Sequence, residues 1–314
     1  MRPDCSKRSH RGGWLAWRVL LVLSLGGAAT GCAGTIANYM AGPLGGGGSA
    51  FASDDDPELI REAIPFGLKA IESLLSDSPD NPKLLLAAAS GFTEYAVGWI
   101  LNDADEIEPT HPALAREKRE RARKMLARAA AYGMRGLESR HGGFTAQFAI
   151  DRTKAVSVME QEDVPLLYWS GASLGALVSL SLSDMAALGR LPEVEALMGR
   201  ALALDEAYDH GAIHEFYVNY DGGRSPAMGG SVARAKTHYD RAIVLSGGKK
   251  MSLLVAWAEV VAVQNQDRKL FDELLSKALA FNVDEEPRFR LANLIAQRRA
   301  RILKSSAPEL FVEE

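Results

Sequence analysis

Ser173 lies in the segment Gly171-Ala172-Ser173-Leu174-Gly175, which matches the G-x-S-x-G pattern of a hydrolase nucleophile elbow. Asp205 and His214 follow it in the chain order of a catalytic triad. However, the elbow needs a β-strand directly before the serine, and no segment after residue 53 alternates cleanly between apolar and polar residues. We therefore expect the two glycines to allow close helix packing and the chain not to be an enzyme. A serine hydrolase is the less favoured alternative.

Two histidines, His210 and His214, are one helical turn apart, and Glu215 follows them. A zinc protease would need the pattern H-E-x-x-H, but Val218 occupies the position of the second histidine. A two-histidine site completed by a distant carboxylate is one alternative, and hydrogen bonding within packed helices is the other. The sequence predicts neither a metal ion nor another cofactor.

Aromatic residues are concentrated in the central third of the chain. In a helical array most of them belong to the core, but an apolar pocket with a few polar groups is an alternative. The pattern therefore nominates four residues for binding a ligand or partner: Tyr168, Trp169, His214 and Tyr217.

A recurring spacing organises the folded part of the chain. Five segments place a small or apolar residue seven positions before an alanine: Ala63 and Ala70, Ala122 and Ala129, Val194 and Ala201, Ala235 and Ala242, Phe271 and Ala278. Seven residues are nearly two helical turns, so both positions share a face, and alanine there allows close packing between repeats. The last two alanine intervals, 41 and 36 residues, approach the tetratricopeptide (TPR) period of about 34. We predict an all-α, TPR-like solenoid of helix-turn-helix pairs over residues 54–314. An ordinary alanine-rich bundle is the alternative.

Local signals place some of the helix boundaries. Asp56 and Pro57 indicate a helix start, and the helix is expected to run to about Leu75. We expect a polar break over Asp103–Pro112, a basic helix with a solvated face over Ala113–Glu138, and an irregular insertion over Gly142–Val164.

The N-terminus resembles a bacterial lipoprotein signal peptide. Residues 1–31 begin with a basic region and continue with an apolar run, Trp14–Ala29, before small residues that lead to Cys32. About 16 apolar residues are short for a membrane span of ~20, although an uncleaved helix is the alternative. Cleavage before Cys32 would make this cysteine the acylated anchor. Ala33 follows instead of aspartate, which favours an outer-membrane anchor facing the periplasm.

Residues 32–53 form the predicted linker, with Gly42 and Gly45–Gly48 as its flexible part. The other cysteine, Cys5, belongs to the signal, so the folded part has no disulfide and no thiol nucleophile. Residues 1–31 carry five basic side chains and one acidic one, and without them the net charge falls from −4 to −8. This acidic balance argues against nucleic acid binding.

Six segments together resemble the T-component (TatT-like) family of tripartite ATP-independent periplasmic (TRAP) transporters. They are SDDDPELIREAIPFGLK, SPDNPKLLLAAASGFTEYA, DVPLLYWSGASLGALVSLS, LPEVEALMGRALALDEAYDHGAIHEFY, GGSVARAKTHYDRAIVLSGG and RLANLIAQRRARILK. The likeness spans about Asp54–Leu310, and the segments occur in the same order as in the family. The sequence departs from the family pattern in its glycine linker, which is longer than the linker of the family.

The resemblance implies a periplasmic lipoprotein that forms a homotrimer and docks the solute-binding P-component of the transporter. It also implies a small hydrophobic or organic-acid ligand in a central hollow. A TPR lipoprotein scaffold for envelope assembly is the alternative function.

Overall fold

Helices are the regular elements throughout the part of this computed structural model that is described, residues 51–181 and 184–312. The first half contains α1 (Pro57–Asp77), α2 (Pro82–Tyr95), α3 (Asn102–Ile107), α4 (Pro112–Arg140), α5 (Phe144–Ile150), α6 (Arg152–Ser157) and α7 (Val164–Ser179). The second contains α8 (Met185–Leu188), α9 (Leu191–Leu204), α10 (Tyr208–Gly222), α11 (Val232–Leu245), α12 (Met251–Trp257), α13 (Arg268–Ala280), α14 (Arg290–Ser305) and α15 (Ala307–Leu310). The all-α prediction is confirmed. The predicted signal peptide, Cys32 and the glycine run lie outside the described residues.

Side-chain caps begin the first helical pair as the local sequence predicts. The Asp56 carboxylate accepts hydrogen bonds from the backbone N–H groups of Glu58 and Leu59 at 3.1 and 3.0 Å. Asn81 caps α2 in the same way, and a proline follows each cap. An apolar stripe with helical period then buries α1 against α2: Ile60, Ile64, Leu68, Ile71 and Leu75.

The recurring spacing marks the core face in four of its five cases. Ala122, Ala129, Val194, Ala201, Ala235, Ala242, Phe271 and Ala278 are all buried. The prediction is wrong for Ala63, which is exposed, and for Ala70, which is half-buried. Both lie on α1, where the larger residues of the apolar stripe form the core face instead. Successive contacts of α9 with α10, α10 with α11, and α12 with α13 are consistent with a helical-repeat arrangement.

Two expected breaks contain helix. The polar segment that begins at Asp103 continues the α2 helix through a π-helical stretch, Ala96–Leu101, into α3. The break is shorter than expected and covers residues 108–111, because Asp103 is buried among cationic partners and not left in solvent. The expected insertion over residues 142–164 holds the short helices α5 and α6, which pack on each other.

The continuous helical stretch Pro82–Ile107 is also long and apolar enough to cross a membrane. Within the fold, 72% of its most apolar window is buried by other helices. Its apolar composition is therefore accounted for by a central position in the protein core.

The last long helix, α14, returns to the first helices of the chain. The Leu291 N–H donates to the Ala52 carbonyl oxygen at 3.1 Å, and the Arg290 guanidinium donates to the Ser53 carbonyl at 2.7 Å. Arg298 donates to Asp103 at 2.8 Å. These contacts between distant parts of the sequence hold α14 against the first helices of the chain.

Candidate functional site

Aromatic side chains from α7 and the start of α10 pack against one another. The Tyr168 ring lies 5.0 Å from Trp169, edge to face, and 5.2 Å from Tyr208, measured between ring centroids. All three residues are half-buried. The Tyr168 hydroxyl makes no hydrogen bond to any residue in the described ranges, so it is free to bind a ligand or water.

Glu94 lies on α2, and its charge contributes to raising the pKa of both Tyr168 and Tyr208. Desolvation by surrounding protein, together with the charge of Asp209, raises the pKa of the Glu94 carboxyl to about 8. Nevertheless the side chain is exposed to solvent. Among residues 51–181 and 184–312, no residue forms a hydrogen bond or an ion pair with the Glu94 side chain.

The opposite wall contains a strained piece of backbone. Asp209, His210 and Gly211 all have left-handed conformations, with φ values of 42°, 55° and 89°. Only the glycine adopts this region without strain, and a Cβ at Gly211 would also lie 3.2 Å from Leu245. Such strain persists where surrounding contacts enforce it, and it is concentrated at functional sites.

Lys250 holds the strained segment in place. Its ammonium donates to the Asp209 carbonyl oxygen at 2.9 Å and lies 3.8 Å from the Asp209 carboxylate and 3.6 Å from Glu215. Its nitrogen also lies 5.6 Å from the centre of the Phe289 ring. Because the Lys250 side chain is only 9% exposed, its charge is shared among these groups and not presented to solvent.

We use the name "recess" for the site formed by Glu94, Tyr168, Trp169, Tyr208, Asp209, Glu215 and Lys250. Two of its acidic groups, Glu94 and Asp209, have raised pKa values. Burial raises the pKa of Asp209, and Lys250 offsets part of that effect. Burial likewise raises the pKa of Tyr168 well above its ordinary value, with further contributions from Glu215 and Asp209. The surrounding protein therefore favours the protonated forms of Glu94, Asp209 and Tyr168.

The other two nominated residues belong to a different cluster, between α10 and α11. The Nδ1 atoms of His214 and His238 lie 2.8 Å apart, so one imidazole donates its N–H to the other. The Tyr217 ring stacks on His238 with 4.6 Å between centroids. The structure thus brings Tyr168 and Trp169 together in the recess, and separately brings together His214 and Tyr217.

Burial lowers the pKa of both histidines, and for His238 the neighbouring His214 adds to the effect. Glu206 partly opposes the shift at His214, whose Nε2 atom lies 3.4 Å from a Glu206 oxygen. Glu206 itself is paired with Arg241. The two imidazoles are neutral at neutral pH and act as a hydrogen-bonded link between two helices.

The serine pattern forms part of a helix–helix contact. Ser173 is fully buried within α7, and its hydroxyl donates to the Ser170 carbonyl at 3.1 Å. A Cβ at Gly171 would lie 2.6 Å from the Met198 sulfur, and one at Gly175 would lie 3.0 Å from Phe216. The expectation of close helix packing at both glycines is confirmed. Over the described ranges, no group of three His, Cys, Asp or Glu side chains could hold a metal ion.

The residues of the recess that the sequence analysis missed are Glu94, Tyr208, Asp209, Glu215 and Lys250. One signal was available, because Glu94 is the single charged residue in the stretch Leu84–Leu101. Glutamate is rarely placed in an apolar helix without a partner. For Asp209 and Lys250 no local pattern exists, since they come together only through the packing of α10 on α12.

Two comparisons with known proteins cover most of this chain. Residues 53–311 match the family described as TRAP transporter T-component. An uncharacterized protein of Treponema pallidum (strain Nichols) is 26% identical over 267 residues, which cover 84% of this chain and 83% of that protein. The family match covers most of the sequence and includes every residue of the recess. The chain belongs to the TRAP transporter T-component family.

Proposed function

We propose that this protein is a lipid-anchored periplasmic subunit that binds the solute-binding P-component of a TRAP transporter. The observation that carries the proposal is the family match over residues 53–311. Family membership supports an accessory role in transport, and the family is not a known class of enzymes. The anchor, the partner and the compartment are additional parts of the proposal, and the anchor rests on the signal-like N-terminus.

The proposed anchor is an acyl group on Cys32, in the outer membrane. A glycine-rich linker of some 20 residues has a root-mean-square span on the order of 25 Å, which would hold the helical domain close to the bilayer. Tethering of this kind raises the effective concentration of a partner to the millimolar range. We propose a homotrimer as the functional form, because several copies would multiply this effect for the P-component.

The recess is the proposed site for a small ligand, with Tyr168 and Trp169 as contact residues. Its aromatic side chains suit an apolar molecule, whereas an organic acid would meet the carboxylates of Asp209 and Glu215. This distribution favours the hydrophobic ligand over the organic acid. For His214 and Tyr217 we propose a supporting role, in which they hold α11 against α10 behind the wall of the recess.

The test is a pull-down of the full chain, tagged at its C-terminus, from detergent-solubilised membranes of the native cell. Partners are identified by mass spectrometry. The matched control is Cys32→Ala, which keeps the folded domain and removes the proposed acylation site. We expect stoichiometric recovery of a periplasmic solute-binding protein with the wild type, and loss of membrane association with the variant.

Other outcomes would contradict separate parts of the proposal. Recovery of cell-wall or outer-membrane assembly proteins alone would replace the transporter role with that of an envelope scaffold. A Cys32→Ala variant that stays in the membrane would refute the lipid anchor. A monomeric mass by light scattering would refute the trimer while leaving the partner intact.

A further inference from the structure

The exposed side of α4 carries an excess of positive charge. Helix α4 contains nine lysine and arginine residues and three glutamates, which gives it a net charge of +6 in a chain whose net charge is −4. Six of these cations are exposed, and together they form what we call the basic face: Arg116, Arg121, Arg123, Lys124, Arg128 and Arg135. Two exposed carboxylates, Glu117 and Glu120, lie among them. The basic face therefore keeps a surplus of positive charge.

Ion pairs within the protein leave much of this charge without a partner. Arg123 pairs with Glu120 at 2.7 Å, and the Lys124 ammonium lies 3.8 Å from the same carboxylate. Within residues 51–181 and 184–312, no carboxylate forms an ion pair with Arg116 or Arg121. One carboxylate is therefore shared by two cations, and two further guanidinium groups remain available to an external anion.

Aromatic rings hold three of the arginines in a row. Arg121, Arg128 and Arg135 are seven residues apart, nearly two helical turns, so they share one side of α4. Each guanidinium lies over a ring: Arg121 over Tyr95 at 5.9 Å, Arg128 over Phe92 at 5.2 Å and Arg135 over Tyr132 at 5.7 Å. Such contacts restrict the arginine side chains without neutralising their charge. With a rise of ~1.5 Å per residue, the basic face is about 28 Å long.

The basic face begins near the point where the chain enters the helical domain. Asp103 pairs with Arg61 on α1 at 2.5 Å and with Lys118 on α4 at 3.1 Å, so the first turns of these two helices are neighbours. Helix α1 starts at Pro57, and the proposed linker from Cys32 ends a few residues before it. A linker with a span on the order of 25 Å would therefore hold this end of α4 close to the bilayer.

We infer that the basic face binds anionic phospholipid headgroups, so that α4 lies along the surface of the membrane to which the protein is tethered. This inference rests on the lipid anchor of the proposed function and adds the orientation of the domain on the bilayer. Guanidinium and ammonium groups donate charge-assisted hydrogen bonds to phosphate oxygens. Leu114, which is 46% exposed at the start of α4, adds an apolar side chain that can enter the headgroup region.

The composition of this surface suits a membrane better than an acidic protein. Exposed alanines occupy positions beside and between the cations: Ala113, Ala127 and Ala131. Protein interfaces usually depend on a central aromatic or other large anchor. Between residues 116 and 135, all of which the structure describes, no aromatic side chain is exposed. Small residues among dispersed cations instead allow close approach to a broad layer of phosphates.

The experiment measures how close α4 lies to vesicles that carry the full chain through its proposed anchor. A donor fluorophore is attached at Ala131→Cys in a Cys5→Ser background, and the acceptor is a headgroup-labelled lipid. The vesicles consist of phosphatidylcholine, either alone or mixed with phosphatidylglycerol. We expect energy transfer at low salt to be ~twofold higher or more on the anionic vesicles. The difference should vanish at ~1 M salt, where the Debye length is ~3 Å.

Two double variants complete the design. The first combines Arg116→Gln with Arg121→Gln, which removes the two cations that no carboxylate neutralises in the described part of the protein. It should lose about half or more of the increase on anionic vesicles. The control combines Lys269→Gln with Lys277→Gln, at exposed positions of α13, and should behave as the wild type. Circular dichroism checks that both double variants keep the helical fold.

The outcomes separate this inference from the proposed function. Equal energy transfer on both kinds of vesicle, or equal losses in both double variants, would overturn headgroup binding and leave the anchor and the P-component intact. If the Arg116→Gln and Arg121→Gln variant instead lost the P-component in the pull-down, the basic face would be a docking surface for an acidic protein. Absence of the wild type from both kinds of vesicle would refute the anchor together with this inference, while the pull-down could still recover the P-component.

Discussion

Asp209 lies close enough to Glu94 for its charge to raise the pKa of the Glu94 carboxyl, although 115 residues separate the two in the sequence. The folded protein keeps Glu94 protonated up to a pH of about 8, whereas the unfolded chain ionises it near its ordinary value of 4.5. Folding therefore binds a proton between these two pH values, and stability should fall as the pH rises through this window.

We expect Glu94→Gln to remove this contribution, because glutamine does not titrate. The melting temperature of the variant should exceed that of the wild type at pH about 8 and approach it at pH about 4.5. Thermal unfolding followed by circular dichroism across this range is the measurement. Glu62→Gln provides the control, and parallel pH profiles for wild type and Glu94→Gln would contradict the assignment.

Asp103 links α3 to three other helices. Its carboxylate pairs with Arg61 on α1 at 2.5 Å, with Lys118 on α4 at 3.1 Å and with Arg298 on α14 at 2.8 Å. Burial alone would raise the pKa of Asp103, but hydrogen bonds from Arg298 and Lys118 outweigh that effect and lower it. The substitution Asp103→Asn would leave Arg61, Lys118 and Arg298 without the negative charge of this carboxylate.

We expect Asp103→Asn to destabilise the fold by ~3 kcal/mol, measured by urea unfolding at neutral pH. The matched control is Glu106→Gln, whose exposed carboxylate pairs with the same Arg298. This surface pair should contribute less than ~1 kcal/mol. Equal effects of the two substitutions would show that Asp103 contributes no more than a surface ion pair.

The pair formed by His214 and His238 should make the protein sensitive to acid. In the unfolded chain both histidines take up protons near pH 6.5, whereas burial lowers their pKa values in the folded state. Stability should therefore decrease as the pH falls below about 6.5. His238→Gln should reduce this decrease, while His111→Gln, at an exposed position, should leave it unchanged. Melting temperatures between pH about 7.5 and about 5 test this, and identical acid profiles would contradict it.

We expect a side chain at position 171 to destabilise the protein, because a Cβ on Gly171 would lie 2.6 Å from the Met198 sulfur. Alanine forms helices better than glycine by ~1 kcal/mol, so a purely local effect would stabilise α7. We expect Gly171→Ala to destabilise the protein by about 1–3 kcal/mol through overpacking. Gly142→Ala, where a Cβ meets nothing within 4 Å, is the control. An unchanged or raised melting temperature for Gly171→Ala would show that α7 and α9 can separate without loss.

Several features follow from the sequence because their causes are local. Asp56 with Pro57 and Asn81 with Pro82 start helices, since a capping side chain reaches only the next few backbone N–H groups. The helical period of the apolar residues predicts the all-α class, and the six family segments predict the T-component family. The glycine pair around Ser173 also indicated close helix packing correctly.

Other features were decided by the tertiary structure, because they depend on how one helix is placed on another. The spacing of Ala63 and Ala70 matches that of the buried pairs, yet a spacing identifies a helix face without showing which face a neighbour covers. The packing of helices on one another brings Glu94 to Asp209, His214 to His238, and Arg298 to Asp103. Aromatic composition could therefore nominate Tyr168 and Trp169, while the acidic groups opposite them became visible only in the folded chain.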